Sequence, residues 1–191
     1  MLPTNSFRRG VLFAAFACVA MAAVLGAAAP HHDIFIEIDP AVRDSMNAIW
    51  TRSNMHWNEL AGENTLTQML GAGKPTQREY LGCLRGRRFG GTLRVFATEP
   101  ARDMKQLQFA VAGNCNGVPD LVGTWHTHPF RADSAGHALK ERVLSRQDLD
   151  TFQSGADDAV VVVWDVDSLD VAVRDLDGTV MHPVPVRHVI P

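Results

Sequence analysis

Two histidines and an aspartate have the spacing expected of metal ligands. His126 and His128 flank one residue at the end of an apolar run that begins at Leu121, and Asp148 lies further along the chain. If the run is a β-strand, both imidazoles point to the same face, because side chains alternate along a strand. Pro129, which has no backbone donor, helps to end that strand. Two imidazoles and a carboxylate are three protein ligands, the number that a catalytic zinc site uses while its fourth position stays open. The spacing therefore predicts a Zn²⁺ site.

Each of these features also has a simpler interpretation. Two histidines on a strand are often surface residues without a ligand. Ser145 followed three residues later by Asp148 is typical of a helix N-terminus, where the hydroxyl caps the helix and its dipole favours the acid. The two interpretations of Asp148 are compatible, because a capped helix would hold the carboxylate still.

The order of the motifs resembles that of the JAB/MPN family of zinc metalloproteases, the JAMM peptidases. The family pattern is a glutamate, then His-(Ser/Thr)-His-Pro, then Ser-x-x-Asp. This chain has Glu79, then His126-Thr-His-Pro129, then Ser145-Arg-Gln-Asp148. Glu79 opens the segment Glu-Tyr-Leu-Gly-Cys-Leu-Arg-Gly, which is similar to the family's Glu-x-x-Gly-x-Leu-x-Gly strand. The resemblance covers roughly residues 75–175.

The resemblance implies a role for each matched residue. His126, His128 and Asp148 would bind Zn²⁺. Glu79 would be the general base and acid, and Ser145 would stabilise the oxyanion. The implied fold is the MPN, or cytidine-deaminase-like, sandwich. The implied activity is that of a zinc-dependent peptidase or isopeptidase acting on a protein or peptide. A ubiquitin-like conjugate and a cell-wall peptide are both open as substrates.

One departure from the family is the segment between Pro129 and Ser145, which is about twice the usual length. Its residues 138–144 have a helical composition, so we expect a structured flap beside the metal. The longer spacing also leaves Asp133 and His137 open as substitutes for Asp148 as the third ligand.

A non-catalytic MPN scaffold or binding module is the alternative function. Glutamates at the start of a strand are usually solvated, and only the glycines and leucine that follow Glu79 favour a catalytic role for it. Scaffold members of the family typically lack the metal ligands, which this chain keeps.

A nucleoside deaminase is excluded, because the chain has neither His-x-Glu nor Pro-Cys-x-x-Cys.

Two cysteines lie within the region of resemblance. Cys83 is four residues after Glu79, on the same face of a presumed strand, and Cys115 lies in the Gly-Asn-Cys-Asn-Gly loop. In an oxidising compartment the two could form a disulfide; two free thiols are the alternative. Neither has a partner at zinc-finger spacing.

The N-terminus has the pattern of a secretory signal peptide over residues 1–29, with Arg8 and Arg9 before an apolar stretch and small residues at its end. The arginine pair is also similar to a twin-arginine signal. We expect an exported protein, periplasmic or secreted. An uncleaved inner-membrane anchor is the alternative, because the apolar stretch is just long enough to span a bilayer.

Residues 30–191 have the length of a single domain. Arg8 and Arg9 are the only charges before it, so 16 of the 18 basic residues remain against 21 acidic ones, a net charge of −5. No basic run is present, and we expect no nucleic-acid partner.

Helices and strands alternate along this region, which predicts the α/β class with a mixed sheet flanked by helices. The predicted helices begin at Pro40 and Ser145, and a turn is predicted over residues 71–75. The predicted strands are 80–85, 92–98, 107–112, 121–128, a fully buried 159–164, and an outer strand over 169–174.

Overall fold

The computed structural model describes residues 33–54, 77–107, 110–132 and 138–188. Its main element is an eight-stranded mixed sheet. The helices of these residues are α1 (Pro40–Ser53) and α2 (Arg146–Ser154). The strands are β1 (Phe35–Ile38), β2 (Leu81–Phe89), β3 (Thr92–Pro100), β4 (Arg102–Gln106), β5 (Val111–Asn114), β6 (Leu121–Thr127), β7 (Arg131–Ala132), β8 (Ala138–Leu139), β9 (Ala159–Asp165), β10 (Ser168–Arg174), β11 (Val180–Met181) and β12 (Val186–His188).

The order of strands in the large sheet is β11-β10-β9-β6-β2-β3-β1-β12. Strand β1 is parallel to both β3 and β12, and β6 is parallel to β9. The remaining pairs of this sheet are antiparallel. Two small hairpins, β4–β5 and β7–β8, form separate two-stranded sheets. The predicted α/β class with a mixed sheet is therefore confirmed.

One helix packs on each face of the sheet. Helix α1 begins at Pro40 as predicted and buries Val42, Met46 and Trp50 against β3, β6 and β9. Helix α2 buries Phe152 against the opposite face. Burial of each such side chain contributes about 1.5–3 kcal/mol to stability.

Strand β9 is buried on both faces, as its continuous apolar run predicts. Val161 and Val163 belong to the core under α1, whereas Val160 and Val162 pack with Phe152 of α2. This strand therefore joins the two halves of the core, and it is also the parallel neighbour of β6.

Three predicted elements are wrong. The strand predicted over 107–112 is interrupted, because the Leu107 N–H donates to the Ala110 carbonyl (2.8 Å) in the turn between β4 and β5. The helix predicted over 138–144 is a short strand followed by irregular chain, since contacts with β9 and β10 hold the segment. The strand predicted over 169–174 forms, but it is not a half-exposed outer strand. Asp170 and Ala172 are both buried, and β11 pairs along its outer side.

Several predictions fall outside the described residues: the signal peptide over 1–29, the turn over 71–75, and the substitute ligands Asp133 and His137. The described residues belong to the compact unit Asp33–Pro191. Among them, neither helix has the length and apolarity needed to cross a bilayer.

Candidate metal centre

The two histidines lie at the C-terminal end of β6, between β2 and β9. Side chains alternate as predicted: Thr124, His126 and His128 line a cleft, whereas Trp125 is fully buried in the core on the other face. The Trp125 Nε1–H donates to the Thr98 hydroxyl at 2.6 Å, which fixes the indole. The alternation therefore aims both imidazoles into one space.

Two glycines allow β6 to approach its neighbours closely. A Cβ on Gly82 of β2 would lie 2.1 Å from Trp125 Nε1. A Cβ on Gly123 would lie 1.9 Å from the Ala159 carbonyl oxygen of β9. Because neither position has room for a side chain, both glycines contribute to the placement of the histidine strand.

The main chain at the end of β6 is held from three sides. The His128 N–H donates to the Val163 carbonyl at 2.9 Å, and its own carbonyl accepts from Trp50 Nε1 of α1 at 3.2 Å. The Thr127 N–H donates to the Tyr80 carbonyl, and the Tyr80 N–H donates to the Thr127 hydroxyl, both at 3.0 Å. These last two bonds keep the segment that carries Glu79 beside the histidines.

Asp148 lies in the first turn of α2, and Ser145 is the N-cap of that helix. The Asp148 N–H donates to Ser145 Oγ at 3.2 Å, and the Ser145 N–H donates to Asp148 Oδ2 at 2.8 Å. This reciprocal arrangement is a capping box. The helix cap and a fixed carboxylate thus occur together.

The potential ligand atoms of these three residues lie close together, and one atom from each residue falls within 4.8 Å of the other two. His126 Nε2 and His128 Nε2 are 3.1 Å apart. Asp148 Oδ1 is 3.5 Å from the first and Oδ2 is 3.6 Å from the second. With metal–ligand bonds of about 2.0–2.1 Å, the ligand atoms of a tetrahedral zinc site lie about 3.3 Å apart. The group could therefore hold a metal ion of that size.

Burial and mutual contact shift the protonation of this group. Burial opposes the ionised form of Asp148, but its hydrogen bonds to His126 and His128 outweigh burial and hold its pKa far below the usual range. Burial likewise opposes the charged form of His128. The hydrogen bond to Asp148 and the charges of Glu141, Asp148 and Glu79 prevail, and the pKa of His128 is raised.

Glu79 lies in the same cleft, directly before β2, and is 5% exposed. Its N–H donates to the Leu107 carbonyl at 3.2 Å, and its carbonyl accepts from Gln106 Nε2 at 2.9 Å. These bonds tie Glu79 to the β4–β5 hairpin.

The cleft has a volume of about 780 Å³ and contains all five residues singled out in the sequence. Its remaining walls come from β2, the β4–β5 hairpin, β6, α2 and the start of β9. The residues that contribute most of these walls are Leu81, Ala110, Val111, Ala112, Gly113, Thr124, Thr151, Phe152, Asp157 and Val160.

Sequence reasoning missed one contributor to the cleft, Glu141. This residue lines the cleft, and its carbonyl oxygen lies 3.4 Å from His128 Nδ1. Residue 141 fell inside the segment predicted to be helical, and no local pattern signals this contact.

Cys83 and Cys115 form a disulfide that joins β2 to the chain after β5. Both cysteines are buried with Ala101 and Val118. Leu81 packs against this cluster and also lines the cleft. The bond therefore fixes the hairpin wall of the cleft to the strand that follows Glu79.

No family model and no curated protein matches this chain.

Proposed function

We propose that this protein is a zinc-dependent peptidase or isopeptidase of the JAMM type. The observation that carries the proposal is that one ligand atom each from His126, His128 and Asp148 lie within 4.8 Å of one another, with the buried Glu79 lining the same cleft. Peptide hydrolysis requires a general base, an oxyanion donor and the metal ligands in one cleft. Glu79, Ser145 and the ligand group share such a cleft.

The donor set suits zinc. Two imidazole nitrogens and one carboxylate oxygen are ligands that Zn²⁺ accepts, and three protein ligands are the number in catalytic sites. Both imidazoles are buried, while Asp148 is 24% exposed and borders the open cleft. Zn²⁺ held there would supply a bound water with a pKa near 7 and would polarise the scissile carbonyl.

Glu79 is the residue that moves the proton. Its carboxylate would accept a proton from the attacking water and donate it to the leaving amine. Its negative charge contributes to the raised pKa of His128, which supports a role beside the ligand group. The two hydrogen bonds between Tyr80 and Thr127 fix its distance from the histidines.

Ser145 would stabilise the oxyanion. Its oxygen accepts the Asp148 N–H, and its hydroxyl is also a hydrogen-bond partner of the Asp148 carboxylate. Once that carboxylate binds the metal, the hydroxyl proton would turn towards the oxyanion. A preplaced donor of this kind is worth about 10²–10³ in rate. Since the capping box orients the hydroxyl, helix α2 supplies both a ligand and this donor.

The proposed fold is the MPN sandwich, and the helix on each face of the sheet supports it. The proposed substrate is a protein or peptide with an amide or isopeptide bond, either a ubiquitin-like conjugate or a cell-wall peptide. The net negative charge of residues 30–191 supports a partner other than nucleic acid.

We also propose export to the periplasm or beyond. A buried disulfide is the observation that supports it, because such bonds persist in oxidising compartments. N-terminal sequencing of the protein from fractionated cells tests it, with a start near residue 30 in the exported fraction expected. A cytosolic chain that still begins at Met1 would contradict export, and a full-length chain in the membrane fraction would indicate the anchor instead.

The decisive experiment compares wild type with Glu79→Gln. We expect one zinc per chain in both, because Glu79 is not a ligand, and a loss of about 10²–10⁴ in hydrolysis for the variant. Glu99→Gln is the matched control, since Glu99 pairs with Arg85 outside the cleft. Absence of stoichiometric zinc in wild type, or equal turnover by Glu79→Gln on every substrate cut, would leave the scaffold function in place of the peptidase.

A further inference from the structure

The segment 140–144, here called the strap, crosses from the β7–β8 hairpin to α2. It is tied to the large sheet at both ends. Lys140 Nζ pairs with the Asp165 carboxylate at the end of β9. At the other end, the Leu144 N–H donates to Asp170 Oδ2 of β10 at 2.8 Å. These two ties fix the path of the residues between them.

Packing reinforces both ties. The Lys140 ammonium lies 4.5 Å from the centre of the Phe130 ring, a favourable cation–π distance. Leu144 is 3% exposed and packs beside Phe152 of α2. The strap is therefore a built part of the structure on its described length.

Between the two ties, the strap presents a main-chain carbonyl to the candidate ligand His128. The Glu141 oxygen lies 3.4 Å from His128 Nδ1, slightly beyond the usual N–H···O range of about 2.7–3.2 Å. A carbonyl only accepts, so this contact favours the imidazole tautomer that carries its proton on Nδ1. It opposes the Asp148 carboxylate, which lies 3.6 Å from Nε2 and favours a proton there while no metal is bound. In the Nδ1–H tautomer Nε2 is the nitrogen with a free lone pair.

Nε2 is the atom that faces His126 and Asp148. A partner on the other ring nitrogen is the usual way in which proteins fix the tautomer and orientation of a metal-ligating histidine. Here that partner is supplied by the inserted segment. The strap thus supplies the contact to the second ring nitrogen of His128.

We propose that the strap is the positioning element of the metal centre, with the Glu141 carbonyl holding His128 in its Nδ1–H tautomer. This inference rests on the proposed function, because it concerns the same ligand group. Glu141 acts through His128 and is a positioning residue. Asp170 and Lys140 act one step further away, by holding the strap.

The test releases the strap without changing a ligand. Asp170→Ala removes the acceptor of the Leu144 N–H, whereas Asp170→Asn keeps an oxygen that accepts it. Lys140→Met removes the tie to Asp165 but keeps the aliphatic stem, and it guards against instability of Asp170→Ala. Asp39→Ala is the matched control: it removes a carboxylate that accepts from Arg94 and makes no side-chain cap bond to α1.

Two measurements are made on the full chain. Zinc dissociation constants are obtained by chelator competition, and the His128 ring nitrogens are observed by NMR in the metal-free protein at alkaline pH. We expect Asp170→Ala to weaken zinc binding about 10-fold, the lower end of the effect of such partners. We also expect it to populate the Nε2–H tautomer. Asp170→Asn should restore both properties, and Asp39→Ala should change neither.

Unchanged affinity and tautomer in both Asp170→Ala and Lys140→Met would overturn the inference. A wild-type protein that binds zinc through the expected tautomer but hydrolyses no peptide would contradict the proposed function alone. A protein that binds no zinc would also contradict that function, and the NMR measurement would still decide whether the strap sets the tautomer.

Discussion

His128 lies near several carboxylates, so protons and a bound metal ion would compete for its Nε2 atom. Its pKa is raised above the ordinary value of 6.5: burial lowers it, but the hydrogen bond to Asp148 and the charges of Glu141, Asp148 and Glu79 outweigh burial. A protonated imidazole cannot bind a metal. Zinc affinity should therefore be full at alkaline pH and begin to fall, as pH decreases, at a value above 6.5. Zinc titrations at a series of pH values measure this onset.

Glu141→Gln removes one of the charges that raise the pKa of His128, and the amide keeps the shape of the side chain. We expect the loss of zinc affinity to begin at a lower pH in this variant, since the imidazole then loses its proton more readily. Glu99→Gln, which acts on no ligand, should follow the wild-type curve. An identical onset in wild type and Glu141→Gln would show that this charge does not act on His128.

Gly82→Ala tests the close approach of β2 to Trp125. The new Cβ would lie 2.1 Å from Trp125 Nε1, so the indole must move and lose its 2.6 Å bond to Thr98. Overpacking of this kind costs about 1–3 kcal/mol. Chemical denaturation should show that loss for Gly82→Ala and little change for Gly155→Ala, where the nearest atom is at 3.4 Å. Equal stability of the two variants would contradict the steric argument.

At the level of the elements, the sequence predicted those features that depend only on residues close together in the chain. Side-chain alternation alone places His126 and His128 on one face, and Ser145 with Asp148 is a capping box in any helix that begins there. The strap and the β4–β5 hairpin could not be predicted in this way. Lys140 and Leu144 are held by residues of β9 and β10, and those contacts override a helical composition.

Strand β10 also shows that burial cannot be predicted from local alternation alone. Asp170 alternates with apolar residues and therefore predicts an exposed face. In the structure it is buried, because it accepts the Leu144 N–H and pairs with His182 Nε2 at 2.7 Å. A buried carboxylate with two partners cannot be distinguished from a solvated one by its spacing in the chain.

The disulfide is the covalent connection between β2 and the hairpin wall. It closes a loop with a sequence separation of 32, for which chain entropy predicts a contribution of about 3–4 kcal/mol. Denaturation with and without reductant, and of the Cys83→Ser/Cys115→Ser double variant, should show a loss of this size. Equal stability of oxidised and reduced protein would mean that the bond adds nothing to the packing of the cluster around it.

At the level of the whole molecule, zinc should act as a folding ligand, because His126 and Asp148 come together only in the folded chain. At a free concentration 100 times the dissociation constant, binding adds about 2.7 kcal/mol. This corresponds to about 5–10 °C in Tm for a domain of this size. Calorimetry with zinc and with a chelator measures the difference. Asp148→Asn, whose oxygen can still cap α2, should show a much smaller one.

The α/β class was predictable because apolar runs and capped helices alternate along the chain. The order of the strands was not, since it depends on pairings between distant residues. Strand β6 lies between β2 and β9 as a result of such pairings. The cleft is built at that junction, and so its walls could be recognised only in three dimensions.

The position of β1 between β3 and β12 limits how early this edge of the sheet can form. Ile36 pairs with Val186, a separation of 150 positions (186 minus 36). Such distant pairings close late, because the entropy of a long loop must be lost before the contact forms. When every strand from β1 to β10 has left the ribosome, β12, which completes this edge, has not yet been released. This edge of the native sheet therefore cannot form before the residues of β12 are free to pair with β1.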